Sequence, residues 1–173
     1  IQNGASAVSM FFIQGLINQY GVTAISAYTS AYKVESILTI PVTNLGTALC
    51  IFVGQNMGAK QIERTQEGLK VSFKIAIFIS IIAIFIIWLF APASMFLLVG
   101  NEKAIIEIGV KYLRIVSITF PFCVSLYLLT NFLRGAGEVA YPLFNTMLEL
   151  SARTILAFVL AKYVGFVGIL LCR

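Results

Sequence analysis

Long stretches without a single charged residue constrain this chain more than anything else in it. Ser36–Ala59 and Ile115–Leu133 contain no Asp, Glu, Lys or Arg, and neither does Ile75–Ala91. A helix needs about 20 apolar residues to cross a hydrocarbon core of about 30 Å. Two of the runs meet that length outright. Ile75–Ala91 meets it when Lys74 extends its ammonium to the headgroups. A water-soluble domain carries about 25% charged residues. Here the charged share is 11%, against 60% hydrophobic residues. The chain therefore belongs in a bilayer.

Lipid offers no partner to an open backbone, so membrane spans are helices or closed barrels. Barrel strands are alternating runs of about 10 residues, and the runs here are continuous. The expected fold is an all-α integral membrane protein, an antiparallel bundle of about six transmembrane helices. The segments are Asn3–Tyr20, Thr23–Gly58 with a bend at Pro41, Lys70–Phe90, Ala104–Leu133, Tyr141–Tyr163, and one beginning at Phe166. Ala91-Pro92 and Gly100-Asn101 punctuate the end of the third segment. Arg134-Gly135-Ala136-Gly137-Glu138 joins the fourth to the fifth. The chain opens at Ile1 inside an apolar stretch and stops at Arg173 early in the last one. It reads as a piece of a longer protein, truncated at both ends.

Composition removes several classes of function. The net charge of +5 is spread over loops and helix ends, not gathered on one face, so no nucleic-acid partner is implied. There is no His, and Cys50, Cys123 and Cys172 lie singly in apolar segments, where they pack as small hydrophobes. A zinc site and imidazole catalysis lack their usual residues. A membrane prenyltransferase would need Asp-rich diphosphate motifs, yet all 7 acids are Glu. The densest basic cluster, Lys60, Arg64, Lys70 and Lys74, follows the second segment and marks the cytoplasmic side, with Arg134 on that side too.

Polar residues inside the spans are the functional candidates, because such groups face a bundle interior or a wet cavity. In the first segment Gln14 and Asn18 share a face with Asn3 and Ala7. They suit a cation or polar ligand atom, or hydrogen bonds between helices. In the second, Thr39, Thr43, Thr47, Cys50 and Gly54 make a small-residue stripe, and Gly54 and Gly58 have G-x-x-x-G spacing suited to close packing. In the fourth, Tyr127 and Asn131 lie one turn apart with Cys123 on the same side, where a Tyr ring can meet a cationic ligand or simply pack. In the fifth, Asn145, Glu149 and Arg153 share a face deep in the span. Glu149 and Arg153 form either a self-neutralised pair or a cation-responsive carboxylate poised by its neighbour. Lys33 and Glu35, at the entry of the second segment, are expected to be interfacial and solvated.

Several of these residues stand in a recognisable order. The run Gly54-Gln55-Asn56-Met57-Gly58-Ala59, with Glu63-Arg64 and Gly68 after it, resembles a loop of the MATE (multidrug and toxic compound extrusion) family. Ile17-Asn18-Gln19-Tyr20-Gly21, Pro41, Leu133-Arg134-Gly135-Ala136-Gly137-Glu138, Tyr141-Pro142 and Glu149 to Arg153 fit the same pattern. The likeness covers almost the whole chain and is to the C-terminal lobe of that family. It implies residues 1–173 as a single MatE-like lobe of a twelve-helix transporter whose N-terminal lobe is the missing partner.

The resemblance further implies a secondary active antiporter, not an enzyme, in the cell membrane. It would bring in Na⁺ or H⁺ and export small amphiphilic, often cationic, drugs or toxic compounds. No cofactor is implied, and a Na⁺ site is open as the metal. Substrate and cation candidates are Gln14, Asn18, Tyr127, Asn131, Glu149 and Arg153. Pro41, Gly54, Gln55, Asn56, Gly58, Arg134 and Gly135 are expected to be structural. Some members carry an Asp in the fourth helix of this lobe for cation coupling. Here that stretch reads Phe122-Cys123-Val124-Ser125 and has no acid. Coupling then falls to Glu149, to the absent lobe or to the absent start of the first helix. The alternative is a lipid-linked oligosaccharide flippase of the same superfamily. Its cavity would need more cations, and Arg153 is the one intramembrane candidate. A purely structural subunit would pair its polar stripes only with each other.

Overall fold

A computed structural model describes residues 21–138, 140–148 and 151–152. Its framework is three long helices, α1 (Val22–Gly58), α2 (Ile62–Val99) and α3 (Lys103–Gly135), and residues 140–148 are helical as well. All three long helices are long and apolar enough to cross a membrane.

Glycine sets the boundaries. Gly21, at φ 87°, starts α1; Gly100, at φ 74°, ends α2; Gly137, at φ 88°, lies in the turn after α3. These backbone angles suit a residue without Cβ. Past α3 the exposed end carbonyls take backbone donors: Ala136 N–H bonds Phe132 O at 2.9 Å, and Glu138 N–H bonds Leu133 O at 2.9 Å. Arg134 sits in that last turn, where its charge complements the helix dipole.

The short turns make α2 antiparallel to its neighbours, so α1 and α3 run parallel and pack on each other. Through much of α2 the buried residues are small or polar and the exposed ones large and apolar. Along α2, Thr65, Ser72, Ala76, Ser80 and Ala83 face inward, while Phe78, Ile81, Phe85 and Leu89 face outward. Water would enforce the reverse. Lipid does not, because tails solvate Phe and Ile, and small residues let helix axes approach. Two buried clusters fill the interior. Ala27, Ala31, Met95, Tyr112 and Leu113 pack towards one end, and Val42, Leu49, Val53, Ala83 and Leu128 towards the other.

Two sequence expectations about the helices change. The third segment does not stop near Phe90; α2 starts at Ile62 and runs through Pro92 to Val99. Pro92 costs the N–H that Trp88 O would accept. Ala91 and Met95 on either side are buried against the bundle, and that packing holds the helix together, as it does in many membrane helices. The packing stripe of α1 is also shifted. Val42, Gly46, Leu49, Val53 and Asn56 are the buried residues. Thr39, Thr43 and Thr47 lie beside them and donate to their own helix's carbonyls at Glu35, Ile40 and Thr43, at 2.8–2.9 Å.

The two glycines of the G-x-x-x-G spacing have different surroundings. A Cβ on Gly54 would meet Gly135 O at 3.4 Å, whereas one on Gly58 would meet nothing within 4 Å. Gly58→Ala is therefore expected to leave thermal stability unchanged or raise it by about 0.5 kcal/mol through helix propensity. Thermal melts of the purified protein read this directly.

Candidate functional site

A buried carboxylate lies where α1 crosses α3. Ala24, Ala27 and Ala31 bring the start of α1 close to α3 because they present almost no side chain. On the same face, Tyr28, Tyr32 and Glu35 follow at helical spacing. Glu35 is only 8% exposed. Tyr112 of α3, 1% exposed, donates its phenol hydrogen to Glu35 Oε2 at 2.8 Å. Tyr28 stands edge-on to Tyr112 with ring centroids 5.6 Å apart, and Tyr32 stacks on Tyr28 at 6.2 Å. Through Tyr112 the carboxylate is thus joined to a row of aromatic rings. Lys33, two residues away, is exposed as expected, but Glu35 is not solvated. Its helix face carries the alanines, so it points inward with them.

Such an arrangement can exchange a proton or hold a small cation. A hydrogen bond to a charged acceptor contributes about 1.5–3 kcal/mol. The carboxylate and the phenol oxygen are hard donors of the kind alkali and alkaline-earth ions prefer. No group of three or more His, Cys, Asp or Glu is found among the described residues, so they offer no cage of carboxylates for a divalent ion.

Gly46, Tyr127 and Asn131 form a second polar locus. A Cβ on Gly46 would collide with the Tyr127 ring and reach Asn131 Nδ2 at 3.0 Å. The missing side chain is what seats these two residues of α3 against α1. Asn131 is 4% exposed and donates through Nδ2 to Tyr127 O at 2.9 Å; Tyr127 remains 37% exposed. Gly46 is separated from Glu35 by about three turns of α1, roughly 16 Å. The two loci are therefore distinct stations along one seam.

Of the residues singled out from sequence, Tyr127 and Asn131 come together here. Gln14, Asn18, Glu149 and Arg153 lie outside the described residues. Gly54-Gln55-Asn56-x-Gly58 forms the last turns of α1, not a loop. Asn56 is buried and donates to Phe52 O at 2.7 Å, Gln61 N–H bonds Asn56 O at 2.9 Å, and Gln55 is exposed. Gly135 faces the backbone of Cys50. Pro41 lies within an uninterrupted α1. The sequence reading missed Glu35 and Tyr112 as a pair. The signal was the Ala24, Ala27, Ala31 stripe, which already pointed the Glu35 face inward.

The MatE family model matches residues 1–159. The chain belongs to the MatE family. Its curated relatives include the probable multidrug resistance proteins YoeA and YpnP of Bacillus subtilis (strain 168). YoeA is 24% identical over 158 residues, covering 91% of this chain and 34% of YoeA. YpnP is 25% identical over 130 residues, 75% of this chain and 29% of YpnP. The chain thus spans about a third of these relatives' length. Among solved structures, MATE in the bent conformation matches 99% of this chain and 38% of its own at TM-score 0.89 and 20% identity. An outward-facing MATE family transporter matches at TM-score 0.88 and 22% identity, over 99% of this chain and 39% of its own. An inward-facing one matches at TM-score 0.84 and 20% identity, over 97% and 40%. These likenesses fix the fold: a multi-pass membrane protein, in contact with lipid, with the helical architecture of part of a MATE transporter.

Proposed function

We propose that this lobe is half of a secondary active antiporter of the plasma membrane. It exports amphiphilic, often cationic, drugs or toxic compounds in exchange for Na⁺ or H⁺. The observation that carries the coupling is the buried Glu35–Tyr112 pair. A carboxylate inside a membrane bundle is costly and marks an ion pathway. Tyr127, beside Gly46, offers a half-exposed ring to a cationic or aromatic substrate. Gln14, Asn18, Glu149 and Arg153 remain candidates on the same account. The names of the relatives favour drug export over the flippase alternative.

Alternating access then works by rocking one lobe against the other. The lobe's likeness to both an inward-facing and an outward-facing transporter supports its moving as one body. The full-length protein, expressed in an efflux-deficient bacterium, is expected to lower ethidium accumulation. Collapsing the ion gradients should restore accumulation. Equal accumulation with and without the protein would contradict drug export.

A further inference from the structure

Trp88 and Arg114 meet on the outer seam between α2 and α3. The Arg114 guanidinium carbon lies 5.5 Å from the centroid of the indole. The indole N–H donates to Ser117 Oγ at 3.2 Å, and Ser117 Oγ donates to Arg114 O at 2.7 Å. Ser117 is fully buried while Trp88 is 53% exposed. The ring is therefore held from inside the bundle and presents its outer part to the surroundings.

Arg114 bounds one end of the uncharged run Ile115–Leu133 and Arg134 bounds the other. About 20 residues of helix separate them, roughly 30 Å, one hydrocarbon thickness. The guanidinium thus stands at a headgroup boundary, on the side opposite the basic turn after α1. Its neighbours are greasy: Phe85, Leu89 and Ile118 are all exposed. On α2 the exposed apolar face continues beyond Trp88 to Phe96 and Leu97. No ion pair engages Arg114 among the described residues, and nearby Lys111 is already matched by Glu107 at 3.3 Å. A cation at the edge of oil requires a counter-anion. A guanidinium presents a flat fork of donors that fits a phosphate on two oxygens.

We propose that Arg114 and Trp88 form a seat for one phospholipid. The phosphodiester sits on the Arg114 fork, the indole flanks the glycerol region, and the acyl chains lie along Phe85 and Ile118.

This chain contains one Trp, which makes the seat directly observable. The full-length transporter, with Trp88 as its sole tryptophan, is reconstituted in phosphatidylglycerol vesicles. Bromine-labelled phosphatidylglycerol or bromine-labelled diacylglycerol is then added at equal mole fraction. The phospholipid is expected to quench Trp88 with about tenfold preference, the scale of one charged hydrogen-bonded contact. Arg114→Gln should erase the preference, and Lys111→Gln should leave it intact. Equal quenching by the two lipids in the parent protein overturns the proposal, even if Arg114→Gln fails to fold. So does a preference that survives Arg114→Gln, or one abolished by millimolar glycerophosphate, which would assign the site to free phosphate.

Discussion

Glu35→Gln in the full-length transporter is expected to cut ion-driven export at least about tenfold while its amount in the membrane stays the same. The expectation follows from the geometry of one bond. A glutamine amide oxygen can still accept the Tyr112 phenol hydrogen, so the contact between α1 and α3 survives. What disappears is the negative charge that a proton or Na⁺ would neutralise. A loss of about tenfold corresponds to about 1.4 kcal/mol, a conservative figure for removing a charged contact from a buried site. Tyr112→Phe supplies the contrast. It keeps the charge but strips a hydrogen bond from a group that is 8% exposed. It should lower the melting temperature as well as the export rate. Normal export by Glu35→Gln under both Na⁺ and proton gradients would remove Glu35 from the coupling. Glu149→Gln, read in the same assay, would then identify the alternative carboxylate.

The second large effect is expected at Gly135. A Cβ there would run into the Cys50 carbonyl and lie 2.9 Å from Val53 Cβ. The obstacle includes main chain, which cannot swing aside as a rotamer can. Gly135→Val should therefore push α1 and α3 apart and destabilise the transporter by about 3 kcal/mol, the upper end for overpacking. Gly46→Ala offers a graded comparison. The Cβ it adds meets side-chain atoms of Tyr127 and Asn131, not main chain, and Tyr127 is half-exposed. It should cost less stability, yet alter substrate preference, because the ring it displaces is the half-exposed one. Melting curves of the detergent-solubilised protein separate the two. Equal stability of Gly135→Val and its parent would mean that α1 and α3 do not touch there.

Much of the helix framework is legible in the sequence, for a definite reason. In lipid the length of an uncharged run is itself the structural signal. The segments built around those runs, Thr23–Gly58 and Ala104–Leu133, therefore fall within about two residues of the ends of α1 and α3. Gly21, Gly100 and Gly137 punctuate as glycines should. The extent of α2 was hidden because Pro92 signals a stop in an isolated chain. It is overridden when Ala91 and Met95 are buried on either side. Glu35 was hidden by a different effect. Its place beside Lys33, next to a long apolar run, suggests an interfacial acid. The deciding fact is rotational, since Glu35 lies on the alanine face of α1. Its partner Tyr112 comes from another helix, at a sequence separation of 77. Spacing along one strand of sequence does not reveal such a pairing; packing does.

The most direct test reconstitutes the full-length transporter in sealed liposomes and follows a cationic dye such as ethidium. Either a Na⁺ or a proton gradient is imposed, with ATP absent throughout. The account predicts uphill dye movement against at least one of the imposed cation gradients, and none when both gradients are collapsed. Dye movement that is indifferent to both gradients, or no uphill movement under either, would contradict it.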